Sequence, residues 1–283
     1  LMRLEHESAL LQRAPSPWCA PLLHAECQTE DFLLVMKHIP GVSLAERLNS
    51  QTLETSETLA VGRALLSALR DLHAHRVLHR RVRPTNIIVS EDGPLVTATL
   101  VDFGPAGCVQ SEGGLDRPVE AARYVSPEQA GLIDQDVTEA SDLYSAGLVL
   151  HRCLAGESPF HGDSVGAILF EQMTGSVAGL AQLGPAVPRA LDEVIQRLLR
   201  KDPRDRYQSA EAVLNDLEAI AEGLRGGGAD PVVVIGARDR RDTLTEPAFV
   251  TRGAELDRLD TQIQRTRGGH GGLVLLEGES GSG

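Results

Sequence analysis

The chain has 283 residues, enough to bury a sizeable core as one large domain or two smaller ones. At 42% hydrophobic and 24% charged, with aromatics scarce at 3%, its composition is that of a globular protein. The formal charge of −13, from 40 acidic against 27 basic side chains, excludes an extended nucleic-acid surface, which requires clustered Lys and Arg. A local basic pocket for nucleotide phosphates remains compatible with it.

No apolar run approaches the roughly 20 residues of a membrane span, and no secretory apolar segment opens the chain. The expectation is a cytoplasmic protein without a membrane or nucleic-acid partner. Cys19, Cys27, Cys108 and Cys153 are far apart and form no C-x-x-C pair, so the spacing suggests reduced thiols rather than a zinc site or a disulfide framework.

Taken in chain order, residues 1–14 place Leu4, Leu10 and Leu11 near one helical face with Glu7 between them. A chain that opens on Leu1 inside a helix is expected to be cut from something longer. The apolar run 32–36 has strand length and stops at Pro40-Gly41. Leu59, Leu65, Leu66, Leu69 and Leu72 recur at helical spacing over 57–75, with Ser56 as the expected N-cap. Strands are predicted at 87–89 and 95–101. Residues 142–155 are apolar on most faces, as in a helix buried inside a lobe. Amphipathic helices follow at 190–200 and 210–222.

The character then changes. Gly226-Gly227-Gly228 and Pro231, prolonged by the charged run Arg238–Asp242, signal a linker over 223–247. A second unit is expected over 248–283, with a helix near 254–266 and a strand at 273–277. That strand runs into Gly278-x-x-x-x-Gly283, which matches the opening of a phosphate-binding loop. The lysine and hydroxyl residue that complete such a loop would follow residue 283, so this segment by itself should not hydrolyse nucleotide. A Gly-Ser-rich tail also reads as a plain linker end.

The most informative stretch is His79-Arg80-Arg81-Val82-Arg83-Pro84-Thr85-Asn86, followed by Asp102-Phe103-Gly104. Either alone is weak. With Glu7, the segment VMKHIPGVSL at 35–44, Ser126-Pro127-Glu128, Asp142 and Arg206 they form an ordered set. That set resembles the eukaryotic-type serine/threonine protein-kinase family over 1–222, from the helix bearing Glu7 to the last helix of the large lobe. More narrowly, the chain resembles the kinase-like domain of large bacterial signalling proteins that continue into an AAA-type ATPase. The run FVTRGAELDRLDTQIQRTR is similar to the opening helix of that ATPase.

The resemblance implies an α+β kinase-like fold, mostly the helical C-lobe with a partial N-lobe, followed by the start of a P-loop α/β domain. It implies ATP and Mg2+ as cofactors, with Asp102 and Asn86 as metal ligands, since hard oxygen donors suit magnesium. Glu7 would pair with a phosphate-gripping lysine lying upstream of residue 1, together with a Gly-rich loop. Met36 would back the adenine pocket, Lys37 to Ile39 would offer hinge backbone groups, and Gly278 and Gly283 would cradle a second phosphate. Partners would be a protein substrate, or downstream ATPase and sensor modules. His79 is expected to brace its loop rather than exchange protons, Asp142 to anchor loop N–H groups, and Glu128 to form a buried ion pair with Arg206.

Two departures from the family pattern bear on activity. The family places its catalytic aspartate at position 81, where it orients the acceptor hydroxyl and accepts its proton; the guanidinium of Arg81 has no acceptor and stays protonated. A family threonine that bonds to that aspartate falls at Ala121, which has no hydroxyl. Arg83, in the place of the usual lysine, can still bind phosphate. Four readings follow: a kinase that binds nucleotide but transfers phosphate weakly or not at all, an active kinase with a displaced base, an inactive module that regulates or docks on a downstream ATPase, and a platform that binds no nucleotide.

Overall fold

The computed structural model describes residues 14–28, 31–90, 97–102, 118–180 and 187–239, with Arg265. The chain divides into two units, Leu1–Arg240 and Arg241–Gly283, and every element below belongs to the first. The helix expected at 1–14 and the elements expected over 248–283 lie outside the described residues.

Strands β1 (Leu22–Gln28) and β2 (Asp31–Met36) pair antiparallel, with an irregularity between Leu22 and His24. The apolar run at 32–36 announces β2. Nothing in LLHAECQ alternates cleanly enough to announce β1. After β2 the chain turns through Gly41, where φ is +135° and a Cβ would stand 2.1 Å from the Val89 carbonyl oxygen. Only glycine fits there, and it admits the two-residue strand β3 (Val42–Ser43) beside β4.

Strands β4 (Ile87–Ser90) and β5 (Thr97–Leu100) are antiparallel neighbours that complete a three-stranded sheet in the order β3-β4-β5. Ile87 and Val89 are buried while Ile88 and Ser90 are less so, the period of two expected of a sheet covered on one face. Residues 18–20 run alongside β5: the Leu100 N–H donates to Trp18 O at 2.8 Å, and the Ala20 N–H to Leu100 O at 3.0 Å. The end of the β1–β2 hairpin is thereby tied to the sheet that carries Asp102.

The helical part is built on two central helices. Helix α1 (Leu44–Ser50) is closed by a capping box in which Glu46 N–H donates to Ser43 Oγ and Ser43 N–H to Glu46 Oε2. Helix α2 (Thr55–Ala74) starts earlier than Ser56 would cap it, because Glu57 reaches back to the Glu54 N–H at 2.9 Å and sets the boundary there. Helix α3 (Pro118–Ala122) is short, and helix α4 (Glu139–Ala155) begins where Thr138 N–H donates to Ser141 Oγ. Helices α5 (Val165–Thr174), α6 (Arg189–Leu198) and α7 (Ala210–Arg225) complete the lobe.

Leu65, Leu66, Leu69 and Leu72 of α2 are each 2% exposed or less, and full burial of such side chains stabilises by roughly 1.5–3 kcal/mol apiece. A Cβ on Gly62 would meet Leu150 of α4 at 3.0 Å and Leu217 of α7 at 3.1 Å. The three helices pack so closely there that a larger residue would strain all of them.

Glu128 and Arg206 form the expected pair, with Nη1–Oε1 at 2.6 Å and Nη2–Oε2 at 2.9 Å. Arg206 also donates to the carbonyls of Ala140, Arg200 and Lys201, and its guanidinium lies over the Tyr144 ring. Ser141 Oγ donates to Glu128 Oε1 at 2.6 Å. Burial alone would push the Glu128 carboxyl up, but the Arg206 and Ser141 hydrogen bonds outweigh it and hold the group below its ordinary value.

The segment read as linker departs from expectation at its start. Helix α7 runs on to Arg225, and residues up to Asp239 are held against the lobe. Arg189 pairs with Asp230, Gly236 N–H donates to Asp216 Oδ2 at 2.7 Å, and Asp239 binds Arg197 and accepts from Gln208 N–H. Val233 and Ile235 rest on the core. Glycines and charges mimic a linker in sequence, yet among the described residues Asp230 and Asp239 each have a partner on α6, and Asp239 a second in the turn before α7. Cys19 and Cys153 are buried free thiols. Among the described residues no helix is long and apolar enough to cross a membrane, and no cluster of metal-binding side chains occurs.

Candidate active site

The loop after α2 is shaped by one buried carboxylate. Asp142, in the first turn of α4, accepts from the backbone N–H of His79 at 2.9 Å and of Arg80 at 2.7 Å. Its Oδ2 also lies 2.9 Å from His73 Nε2. Burial would raise the Asp142 carboxyl, but the His73 hydrogen bond, the nearby histidines and the Arg80 N–H hold it below the usual carboxylate range. Gln129 Nε2 donates to Arg80 O at 3.1 Å and fixes the next peptide group, on the other side of the Arg80 Cα. With these anchors Arg80 adopts φ +63°, a left-handed conformation uncommon for a residue with a side chain.

His79 braces the loop, as expected. Its Nε2 is 3.2 Å from Val101 O, and Arg81 N–H donates to its Nδ1 at 3.2 Å. That geometry selects the neutral tautomer with the proton on Nε2. Burial pushes the His79 pKa down, which agrees with a neutral ring. The ring thus ties the end of β5 to the backbone of Arg81.

The side chains of Arg81, Asn86 and Asp102 converge. Arg81 Nη1 lies 3.2 Å from each oxygen of the Asp102 carboxylate. Arg83 Nη2 approaches Asp102 Oδ2 at 3.9 Å. Asn86 Nδ2 donates to Arg81 O at 2.9 Å and reaches Asp102 O at 3.5 Å, while its Oδ1 accepts from Thr85 Oγ1. The Val101 N–H donates to Asn86 O at 2.9 Å, so the 3-10 turn Pro84–Asn86 and the end of β5 are locked together. Asp102 has φ +60°, which turns its carboxylate toward the loop.

The hinge residues follow the separate β1–β2 sheet. Met36 ends β2, half-buried against the core. The Lys37 N–H donates to Pro21 O at 2.9 Å, so that hinge group is already committed, and Ile39 is half-buried before the Gly41 turn. Ala121 lies in α3, and its carbonyl accepts from Tyr124 N–H at 3.1 Å. Glu7, Phe103, Gly104, Gly278 and Gly283 lie outside the described residues. Sequence reading missed His73 and Gln129. The signal for His73 was a histidine in the last turn of an otherwise leucine-lined face.

Two guanidinium groups approach the carboxylate that would have to hold a divalent cation at Asp102. Magnesium needs carboxylate oxygen at about 2.0–2.1 Å with near-octahedral space around it. Here one guanidinium nitrogen spans both oxygens of the carboxylate, and a second guanidinium stands behind it. Asn86 turns its amide nitrogen to Arg81 O, which leaves its Oδ1, the atom a hard cation would take, accepting from Thr85 Oγ1 at 3.3 Å.

The family described as the protein kinase domain matches residues 2–217. The chain is 32% identical over 227 residues to a probable serine/threonine-protein kinase PknB of Lactococcus lactis, covering 79% of this chain and 35% of that protein. It is 35% identical over 197 residues to the serine/threonine-protein kinase PknL of Mycobacterium tuberculosis, covering 68% and 47%. The chain therefore spans between about a third and a half of the length of these relatives. The solved Rad53 kinase domain and SCD2 in complex with AMPPNP aligns at a TM-score of 0.60 and 23% identity, over 75% of this chain and 77% of that one.

Proposed function

Because the chain belongs to the protein kinase domain family, we propose that it is a serine/threonine kinase domain that binds nucleotide but transfers phosphate weakly. The nucleotide would sit between the hinge at Met36 to Ile39 and the loop 79–86. Support for the binding half is the likeness to the Rad53 kinase domain, which carries AMPPNP in its solved structure. The AAA-type continuation over 248–283, and a protein substrate or downstream module as partner, belong to the same reading and rest on the sequence resemblance.

The observation that carries the weak-transfer half is the 3.2 Å contact between Arg81 and Asp102. By resemblance, position 81 is where an active kinase holds a carboxylate that takes the proton of the acceptor hydroxyl. Arg81 offers only donors, and its partner across the cleft is the acidic residue that should face the phosphates. General-base assistance is worth about 10²–10⁴ in rate, which is the expected size of the loss. Because phosphoryl transfer depends mainly on positioning and electrostatics, a residual rate survives.

The test follows γ-phosphate transfer by the full-length polypeptide to itself and to a generic basic protein. Transfer near background, raised at least tenfold by Arg81→Asp, is the expected result on the general-base estimate of about 10²–10⁴. Robust turnover by the unaltered protein, abolished by Asp102→Ala, would refute the proposal.

A further inference from the structure

We propose that Gln129 is a positioning residue of the transfer site: it holds the Arg80–Arg81 peptide in the plane from which residue 81 is presented to Asp102. The role rests on the transfer reading above, and Gln129 acts in it through the backbone of another residue.

The Arg80–Arg81 peptide is held by a side chain at each end. Its N–H, on Arg81, donates to His79 Nδ1 at 3.2 Å, and its carbonyl, on Arg80, accepts from Gln129 Nε2 at 3.1 Å. Asp142 holds the preceding peptide instead, through the Arg80 N–H at 2.7 Å. Between these two anchored peptides Arg80 takes φ +63°, a conformation that persists only where the surroundings enforce it. Among the described residues the Arg80 carbonyl accepts from Gln129 alone. Because a peptide group is planar, fixing its oxygen fixes the direction in which residue 81 leaves it.

Gln129 is itself oriented. Ser126 Oγ donates to its Oε1 at 3.2 Å, which leaves Nε2 for the Arg80 carbonyl. Its neighbour Glu128 is anchored in the lobe by Arg206. The contact joins residues 126–129 to the loop 79–86 across 49 residues of chain. By resemblance, the family reaches residue 81 through a threonine that falls at Ala121. With no hydroxyl there, Gln129 reaches the backbone of that loop instead.

The test uses Gln129→Glu, which keeps the shape and the bond from Ser126 but has no N–H for the Arg80 carbonyl. Gln129→Leu repeats it without the added charge, in case that charge perturbs folding. Hydrogen–deuterium exchange of the full-length polypeptide, resolved to single amides, is the first readout. The Arg81 N–H should exchange about threefold to tenfold faster in either variant, the effect of one ordinary hydrogen bond. The His79 and Arg80 N–H groups, held by Asp142, should change by less than about twofold. In the Arg81→Asp background, kcat for γ-phosphate transfer should fall by about threefold to tenfold with KM for ATP unchanged. An Arg81 amide that exchanges at the unaltered rate overturns the inference whatever the activity. A rise shared equally by all three amides also overturns it, because that marks loosening of the whole loop, and so does an unchanged kcat once the Arg81 amide is freed. Absence of transfer by Arg81→Asp overturns the proposed function instead, and the exchange rates alone then decide whether Gln129 holds the peptide.

Discussion

Asp142 organises the site, and replacing it with asparagine isolates how much it holds. Its Oδ2 faces two groups, the His79 N–H and His73 Nε2, each at 2.9 Å, while Oδ1 faces the Arg80 N–H at 2.7 Å. In either orientation an asparagine amide turns its NH2 toward one backbone N–H and leaves that donor buried and unsatisfied. His73 can adapt by moving its proton to Nδ1, so its bond need not be lost. One charge-assisted hydrogen bond is then lost, worth about 1.5–3 kcal/mol, and one unsatisfied donor adds about 1–3 kcal/mol. Allowing for overlap between the two, the expected destabilisation is roughly 2–5 kcal/mol, which lowers Tm by roughly 5–15 °C for a lobe of this size. Urea unfolding followed by circular dichroism measures it. Glu139→Gln is the control, because Glu139 is 4.0 Å from His73 and 43% exposed; it should change stability by less than about 0.5 kcal/mol. If Asp142→Asn were as mild as that control, the claim that this carboxylate holds the catalytic loop would be wrong.

Glu128→Ala leaves the buried Arg206 guanidinium without its carboxylate and should cost about 3–5 kcal/mol by the same unfolding assay; a loss below about 1 kcal/mol would show that the carbonyls of Ala140, Arg200 and Lys201 suffice. Acid should act in two stages. The folded pKa of His79 lies below its ordinary 6.5, so its contribution is whole above that pH and drains as pH falls beneath it, because the unfolded chain takes up protons the fold refuses. Asp142 and Glu128 lie below their ordinary 3.8 and 4.5, so theirs is lost only as pH falls past those values toward the lower folded ones. The urea midpoint should therefore decline below about pH 6.5 and more steeply below about pH 4.5; a flat midpoint from about pH 7 to about pH 5 would contradict the His79 assignment, and one that did not fall further between about pH 4.5 and about pH 2 would contradict the carboxylate assignments.

Sequence by itself determined the fold family and most of the helical lobe. The leucines of α2 repeat at helical spacing, α4 is apolar on nearly every face, and the order of motifs from His79 to Arg206 specifies one arrangement of loops around them. These signals are local or strictly ordered, so they survive without coordinates. The boundaries were less legible, because a Glu57 side chain reaching back, or the capping pair Ser43 and Glu46, decides a helix start by a contact rather than by a pattern. Strand β1 was invisible because its pairing with β2 supplies what its own residues lack.

Tertiary structure alone decided what the unusual residue does. By resemblance Arg81 falls where the family has its catalytic aspartate; in three dimensions it is an ion-pair partner of Asp102, reached across 21 residues of chain. It decided too that residues 230–239 are docked, since Asp216, Arg197 and Gln208 come from elements that only folding brings to that segment. Patterns along a chain report which faces are buried. Which charge meets which depends on the distances that packing sets.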